Sequence, residues 1–344
     1  MKQYNVAVVG ASGAVGEEIL RIFEEIDFPL AKLVPMASSR SAGNTVEFRG
    51  NELVIKELTE TVFDEEEIEI ALFSAGGSVS AKFAPFAAAA GAVVIDNTSH
   101  YRMDEEVPLV VPEVNPEDIR EWKKKGIIAN PNCSTIQMVQ ALKPLDDAFD
   151  LVRVDVSTYQ ATSGAGKAAM EELVQQMQDF FAFRLDESEH NKFPHQIALN
   201  LIPQIDVFTD NGYTKEEIKM VNETKKIMHK AVELSATCVR VPVLRGHSEA
   251  ITMTFDGTLS AAEAREVLSK APNIVIQDEP QKGVYPMPAA CVDRNETFVG
   301  RIRNDLYRDN MLHMWVVADN LRVGAATNAV RIAQKWVEMG GADV

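Results

Sequence analysis

Tyr4-Asn-Val-Ala-Val-Val-Gly10-Ala-Ser-Gly13-Ala-Val-Gly16 decides how this chain begins to fold. The run from Tyr4 to Val9, rich in valine, reads as a short buried strand. After the glycines, Val15, Ile19, Ile22, Phe23 and Ile26 recur at helical spacing. A glycine-rich turn between a strand and a helix is where a dinucleotide fingerprint belongs. Its glycines let the backbone turn tightly and approach a pyrophosphate, whose charge faces the helix N-terminus. The spacing is GxxGxxG rather than GxGxxG, and a glycine-rich turn without a ligand is the alternative reading. The candidate cofactor contacts from this turn are Gly10, Ala11, Ser12, Gly13, Ala14 and Val15.

Working outward, Leu33–Met36, Ile70–Ser74 and Ala92–Asp96 read as further strands, with Leu109–Val111 and Ile127–Ala129 as briefer ones. Strands alternating with helices over residues 1–132 predict an α/β fold, a Rossmann-type doubly wound parallel sheet. The second strand runs into Ser38-Ser39-Arg40-Ser41. A carboxylate there would bind the ribose hydroxyl of NAD, whereas these residues suit a 2′-phosphate, so NADP is the expected cofactor. Past Cys133 the texture changes. Val152–Tyr159, Ala250–Phe255 and His313–Val317 alternate with period two, which suits a mixed or antiparallel sheet with one covered face. Helical stretches are expected over 167–184 and 215–232, giving an α+β domain over 133–321. The amphipathic segment 322–339 is expected to return to the first domain, so that 322–344 completes 1–132.

Bulk properties narrow the class. The 344 residues carry a net charge of −17, which argues against nucleic-acid or anionic-membrane partners but leaves room for anionic small molecules held by local cations. Glu57–Glu69 concentrates seven carboxylates without a base and reads as a solvated face. Cys133, Cys238 and Cys291 are too few and too scattered for a disulfide framework or a zinc-type ligand spacing, so no metal site is expected and a reducing cytoplasm is the expected compartment. The N-terminus enters a strand directly, so no signal peptide is expected, and the Ala-rich stretch 84–95 is broken by Pro85 and Gly91.

Asn130-Pro131-Asn132-Cys133-Ser134-Thr135 follows a short strand and opens a helical run. A thiolate at a helix N-terminus is stabilised by the local positive potential, and the backbone N–H groups there can receive an oxyanion. A buried structural thiol is the alternative, and it is the reading for Cys238 and Cys291. A thioester-forming cysteine needs a proton-transfer partner. Among six histidines, His229 reads as surface, His190, His195 and His313 as structural, and His100 beside Arg102 as a supporting group. His247, in a loop between two strands, ranks first. Gly164-Ala165-Gly166-Lys167 imitates a phosphate loop, but Ala161 and Ala168 occupy positions that motif needs, so a nucleoside triphosphate site is rejected.

GASGAVG, NPNCST, YQATSGAG, FPHQIALNLIPQID, ETKKIM, TCVRVPV and RGHSE occur in this order, and through them essentially the whole chain resembles the aspartate-semialdehyde dehydrogenases, the bacterial form in particular. The resemblance implies NADP-dependent, reversible reductive dephosphorylation of 4-phospho-L-aspartate to L-aspartate 4-semialdehyde, feeding lysine, methionine, threonine and diaminopimelate synthesis. It implies Cys133 as the thioester nucleophile, His247 as general acid/base and Gln160 as an orienting group. Arg240 would hold the substrate carboxylate, Glu216 its ammonium, and Lys219 with Arg102 the phosphate; Glu217 is a near-equal alternative to Glu216. Ser163, Gly164 and Asn320 would complete the nicotinamide pocket, and the second domain would also mediate a homodimer or homotetramer. An N-acetylglutamyl-phosphate reductase is the nearest rival, but its substrate has no free ammonium for Glu216. A cysteine hydrolase would have no use for the Gly10–Gly16 turn, and a non-catalytic NADP-binding regulator is expected to lack this Cys, Gln, Arg and His set.

Overall fold

The protein is described from a computed structural model covering residues 2–343. It divides into two compact units, residues 2–132 with 325–343, and residues 133–324. In the first unit the strands are β1 (Tyr4–Val9), β2 (Leu30–Ala37), β3 (Thr45–Phe48), β4 (Asn51–Val54), β5 (Lys56–Glu57), β6 (Ile70–Phe73), β7 (Val93–Asp96) and β8 (Ile127–Ala129). Six of them form one sheet in the order β5-β2-β1-β6-β7-β8 with every pairing parallel; β3 and β4 form a separate hairpin. Val6, Ala7, Val8 and Val9 are all buried, as a central parallel strand requires.

Helix α1 (Ala14–Glu25) turns Ile19, Leu20, Ile22 and Phe23 to this sheet, α2 is the single turn Val62–Glu65, and α3 spans Gly77–Ala89. The C-terminal helix Thr327–Glu338 buries Ala329, Val330, Ile332 and Trp336 in the same core, where Trp336 packs edge-on against Tyr4 and Trp122.

Three expectations are corrected. Leu109–Val111 is not a strand; it makes one isolated bridge, Leu109 to Ala129. The segment from 322 does not start as an α-helix: Arg322–Ala326 is a π-helical turn, the α-helix begins at Thr327, and the boundary between units follows Gly324. Within the acidic stretch Glu66 is buried rather than solvated, because Lys32 and Lys56 both pair with it.

The second unit opens with α4 (Cys133–Phe149), followed by β9 (Leu151–Gln160), α5 (Lys167–Phe181), α6 (Lys215–Met228), β10 (Glu233–Arg240), β11 (His247–Phe255), α7 (Ala261–Ser269), β12 (Ile274–Ile276), β13 (Thr297–Asn304) and β14 (Met311–Ala318). The six strands form one mixed sheet, β10-β9-β11-β14-β13-β12. β9 and β10 run parallel, and β11 is antiparallel to both β9 and β14. Alternation is the consequence: Val154, Val156 and Thr158 on β9, and Glu249, Ile251 and Met253 on β11, are buried. The intervening Ser157, Tyr159, Ala250 and Thr252 are half-exposed on the opposite face. α4 lies against β9, β11, β13 and β14, and α6 against β10 and α4.

Candidate active site

Topology gathers the reactive side chains of the second unit. β9 and β10 end together, with Gln160 paired in register to Arg240, and β11 starts at that same end because it runs the other way. Gln160, Arg240 and His247 therefore share one end and one buried face of the sheet. Cys133 is half-buried and is the first residue of α4, the helix laid on that face. Its position places the sulfur in the positive potential of the helix start. Arg240 is within electrostatic reach of Cys133 and Glu216, which work against the lowering of its pKa by burial. Cys238 and Cys291 are buried thiols, as expected. Burial pushes the Cys238 pKa far up and the Cys291 pKa to about 11, which disfavours a thiolate at either position.

The loop after β9 closes over these groups. Thr162 and Ser163 donate their N–H groups to the carbonyls of Val243 and Leu244. Asn320 Oδ1 accepts from Ser163 Oγ at 3.0 Å and from the Gly246 N–H at 2.9 Å. Gly164 lies directly over the pair: a Cβ there would stand 3.0 Å from Arg240 Nη1 and 3.2 Å from His247 Nε2. The Ala161 backbone serves both side chains at once. Its N–H donates to His247 Nδ1 at 3.1 Å, and its carbonyl accepts from Arg240 Nη1 at 2.6 Å. His247 is fully buried, and burial together with the neighbouring Arg240 charge holds its pKa well below 6.5.

The two glutamates Glu216 and Glu217 have different partners at the start of α6. Thr214 and Glu217 form a capping box, in which the Glu217 carboxylate accepts from Thr214 N–H at 2.7 Å and the Glu217 N–H donates to Thr214 Oγ1. The other Glu217 oxygen accepts from the Cys238 N–H at 2.9 Å. Glu217 is thereby committed to structure. Glu216, also buried, accepts from Gln160 Nε2 at 3.3 Å and from Lys219 Nζ at 3.1 Å. Lys219 is not a surface partner alone: it bridges Glu216 and Asp206, and these carboxylates outweigh burial to raise its pKa. Asp206 escaped the sequence reading, since nothing local marks a carboxylate in the FPHQIALNLIPQID run as facing a lysine thirteen residues on. Phe193 was missed likewise; its ring lies 5.9 Å from the Arg240 guanidinium.

Of the remaining histidines, His229 is exposed at the end of α6, His100 is exposed against Tyr101, and His313 is bonded to Thr252 and Asp305. His190 sits by Gln176, and His195 is exposed rather than structural.

In the first unit the cofactor turn is shaped for close backbone approach. Gly10 has φ +90°, and a Cβ on Gly16 would fall 2.2 Å from the Gly10 carbonyl oxygen, so the turn and the helix pack only as glycine. Gly13 precedes α1 and no side chain caps that helix. The 38–41 loop turns back on itself through Ser41 N–H to Ser38 carbonyl, with Ser38, Ser39 and Arg40 exposed. These residues fit a dinucleotide phosphate chain. Arg102 belongs to this unit; it is buried and donates to the carbonyls of Asn130 and Asn97, each at 2.9 Å.

Two family profiles match the chain, "Semialdehyde dehydrogenase, NAD binding domain" over residues 5–122 and "Semialdehyde dehydrogenase, dimerisation domain" over 142–323. Fold and site thus define a semialdehyde dehydrogenase with an NAD(P)-binding domain and a dimerisation domain. The aspartate-semialdehyde dehydrogenase of Campylobacter jejuni is 65% identical over 338 residues, 98% of each chain. That of Bacillus subtilis is 52% identical over 96% of each. Among solved structures, aspartate semialdehyde dehydrogenase II of Vibrio cholerae, complexed with ASA, matches with a TM-score of 0.95 at 47% identity, covering 98% of this chain and 99% of that one. The enzyme of Candida albicans with NADP matches at 0.73 and 25% identity, covering 98% and 99%. The chain belongs to the aspartate-semialdehyde dehydrogenase family. It is an oxidoreductase of amino-acid biosynthesis, a phosphorylating aldehyde dehydrogenase whose family catalyses reversible reductive dephosphorylation.

Proposed function

We propose that the chain reduces 4-phospho-L-aspartate to L-aspartate 4-semialdehyde with NADPH, releasing phosphate, through a thioester on Cys133. The observation that carries the substrate assignment is the buried pair of opposite charges around Gln160: Arg240 on one side and Glu216 on the other. An α-amino acid presents a carboxylate and an ammonium together, and only such a substrate uses both. An N-acetylated acyl phosphate would leave Glu216 buried against an amide.

In this reading the Cys133 sulfur, held at the start of α4 and near the Arg240 charge, attacks the acyl phosphate. Arg240 anchors the α-carboxylate, Glu216 takes the ammonium, and Gln160 orients the acyl group. Lys219 and Arg102 meet the phosphate. Bound NADPH, on Gly10, Ala11, Ser12, Gly13, Ala14 and Val15 with the 2′-phosphate on Ser38, Ser39, Arg40 and Ser41, supplies a hydride to the acyl carbon. Ser163, Gly164 and Asn320 shape the nicotinamide end, and His247 serves the carbonyl oxygen as acid/base. The product feeds lysine, threonine, methionine and diaminopimelate synthesis in the cytoplasm. Residues 1–132 with the C-terminal helix act as the cofactor domain, and the remainder as the catalytic domain. The half-exposed sheet face bearing Tyr159 and Trp315 pairs two copies into a homodimer, with a homotetramer as its extension. Among the described residues no helix is long and apolar enough to cross a membrane.

Following NADPH absorbance with semialdehyde, NADP and phosphate tests the assignment. Production of NADPH that stops when phosphate is withheld is expected. Cys133→Ser should keep NADP binding and lose nearly all turnover. Near-normal activity in that variant, or equal use of the N-acetylated substrate, overturns the reading.

A further inference from the structure

Asp319 is fully buried one residue past the end of β14, and both of its carboxylate oxygens are occupied. Oδ2 accepts from Arg245 Nη2 at 2.7 Å and from the Asp293 N–H at 2.8 Å. Oδ1 accepts from the Leu321 N–H at 3.0 Å and from the Arg322 N–H at 3.4 Å. None of these donors meets substrate in the proposed reaction, yet they adjoin groups that do. We infer that Asp319 is a positioning residue: its ion pair with Arg245 sets the loop that delivers His247, and its other oxygen fixes the π-helical turn that lies on Cys133.

On the Oδ2 side, three successive residues at the end of β14 hold three successive residues leading into β11. Ala318 pairs in register with His247, Asp319 takes Arg245, and Asn320 Oδ1 accepts the Gly246 N–H at 2.9 Å. The turn between Arg245 and His247 has no slack: Gly246 has φ +91°, and a Cβ there would meet Pro288 Cβ at 3.0 Å. Drawing the Asp293 N–H to the same carboxylate keeps the segment 288–293 in that contact. Arg245 also meets Asp293 Oδ1 at 3.2 Å, but that carboxylate is 62% exposed and water weakens its hold. The buried Asp319 carboxylate carries the anchor.

On the Oδ1 side, an aspartate that accepts the N–H groups two and three residues on caps the turn that follows it. The Asp319 carbonyl adds the Gly324 N–H at 3.3 Å. This cap determines where Gly324 rests against Cys133. Asn320, with Ser163 and Gly246 on its amide oxygen, is carried between the two anchors. One buried carboxylate thus ties the acid/base, the nicotinamide-side amide and the nucleophile to a single register, where a displacement of about an ångström is costly in rate.

The inference rests on the roles given to Cys133 and His247 above, so some readings are taken without turnover. Asp319→Asn keeps one oxygen for the Leu321 and Arg322 N–H groups and sets an amide nitrogen against Arg245 and the Asp293 N–H. Its kcat should fall on the order of thirtyfold or more, with KM for semialdehyde and NADP within about threefold, because Arg240, Glu216 and the Gly10–Gly16 turn are untouched. A parental kcat overturns the inference. Arg245→Met and the double variant Arg245→Met/Asp319→Asn separate positioning from stability. Each single change leaves a buried group without its partner and should lower the urea midpoint, and removing both charges should restore it. The kcat of the double variant should stay about tenfold or more below the parent; recovery of kcat together with the midpoint overturns the inference. Arg245→Lys keeps one contact with Asp319 and should lose about threefold in kcat at an unmoved midpoint. It decides the matter if the neutral variants do not fold, and a parental kcat there counts against the inference.

Without substrate, Asp319→Asn should shift the NMR signals of the His247 ring in full-length protein labelled at histidine, with His247→Gln assigning them. Alkylation of Cys133 by iodoacetamide should stay within about twofold in Asp319→Asn, which retains the cap, and change on the order of fivefold or more in Asp319→Ala, which lacks it. Unmoved ring signals, or equal alkylation rates in the two variants, overturn the inference. If the parent failed to reduce acyl phosphates, the proposed function would fall while these two readings still decided whether Asp319 positions both groups.

Discussion

Gly324 lies against Cys133: a Cβ added to the glycine would stand 2.6 Å from the cysteine Cβ and 3.0 Å from its Cα. The contact is made by the π-helical turn Arg322–Ala326, which lays backbone over the start of α4 where a side chain would collide. Close approach, rather than backbone freedom, is what requires glycine here.

Gly324→Ala should therefore push either the π-turn or the nucleophile aside. We expect a loss of about 1–3 kcal/mol in urea unfolding from overpacking. Alkylation of Cys133 by iodoacetamide should slow on the order of tenfold or more, since displacement by a fraction of an ångström misaligns a nucleophile. An unchanged alkylation rate would place the strain away from the thiol.

The neighbouring carboxylates Glu216 and Glu217 should separate cleanly. Glu217→Ala leaves the N–H groups of Thr214 and Cys238 without their acceptor, at about 1–3 kcal/mol each in denaturant unfolding, with KM for semialdehyde within about twofold. Glu216→Gln should raise KM on the order of tenfold with little change in stability. The reverse pattern in steady-state kinetics would exchange their roles.

Glu249 predicts a pH signature. It is fully buried on β11, and burial raises its pKa well above 4.5, with the neighbouring Gln137 side chain drawing it only part of the way back. Below pH 4.5 the carboxyl is protonated in both states; above it the unfolded chain ionises first, so stability is lost as pH rises toward the folded pKa. Glu249→Gln removes this loss. Its stability relative to the parent should be flat below pH 4.5 and grow above it by up to about 1.4 kcal/mol per pH unit. His247, neutral when folded, loses stability in the opposite direction as pH falls through 6.5, and cancels between the two proteins. A difference independent of pH in urea titrations would mean that Glu249 is ionised in the fold.

Arg40→Ala, in the exposed loop after β2, should weaken NADP about tenfold or more and NAD hardly at all. Fluorescence titration with each cofactor decides it, and an equal loss for both rejects the 2′-phosphate assignment.

Much of the architecture is written locally. The valines before Gly10 and the apolar repeat after Gly16 specify a strand and a helix through periodicity alone. The alternation around Tyr159 and Met253 marks a sheet with one covered face. Cys133 at a helix start is likewise a matter of neighbours in the chain. Leu109–Val111 shows the limit of such reading, because an apolar triplet becomes a strand only where a partner strand lies alongside.

The site itself depends on contacts between segments far apart in sequence. Glu216 and Glu217 are equivalent as letters; which one faces Gln160 follows from the rotation of α6 and from a cap that engages Thr214. The histidine ring meets a main-chain N–H eighty-six residues away, and the room beside Cys133 depends on a glycine in a π-turn near the end of the chain. Backbone donors and the absence of a Cβ have no periodicity or spacing, so they acquire meaning only once packing brings them against the side chains they control.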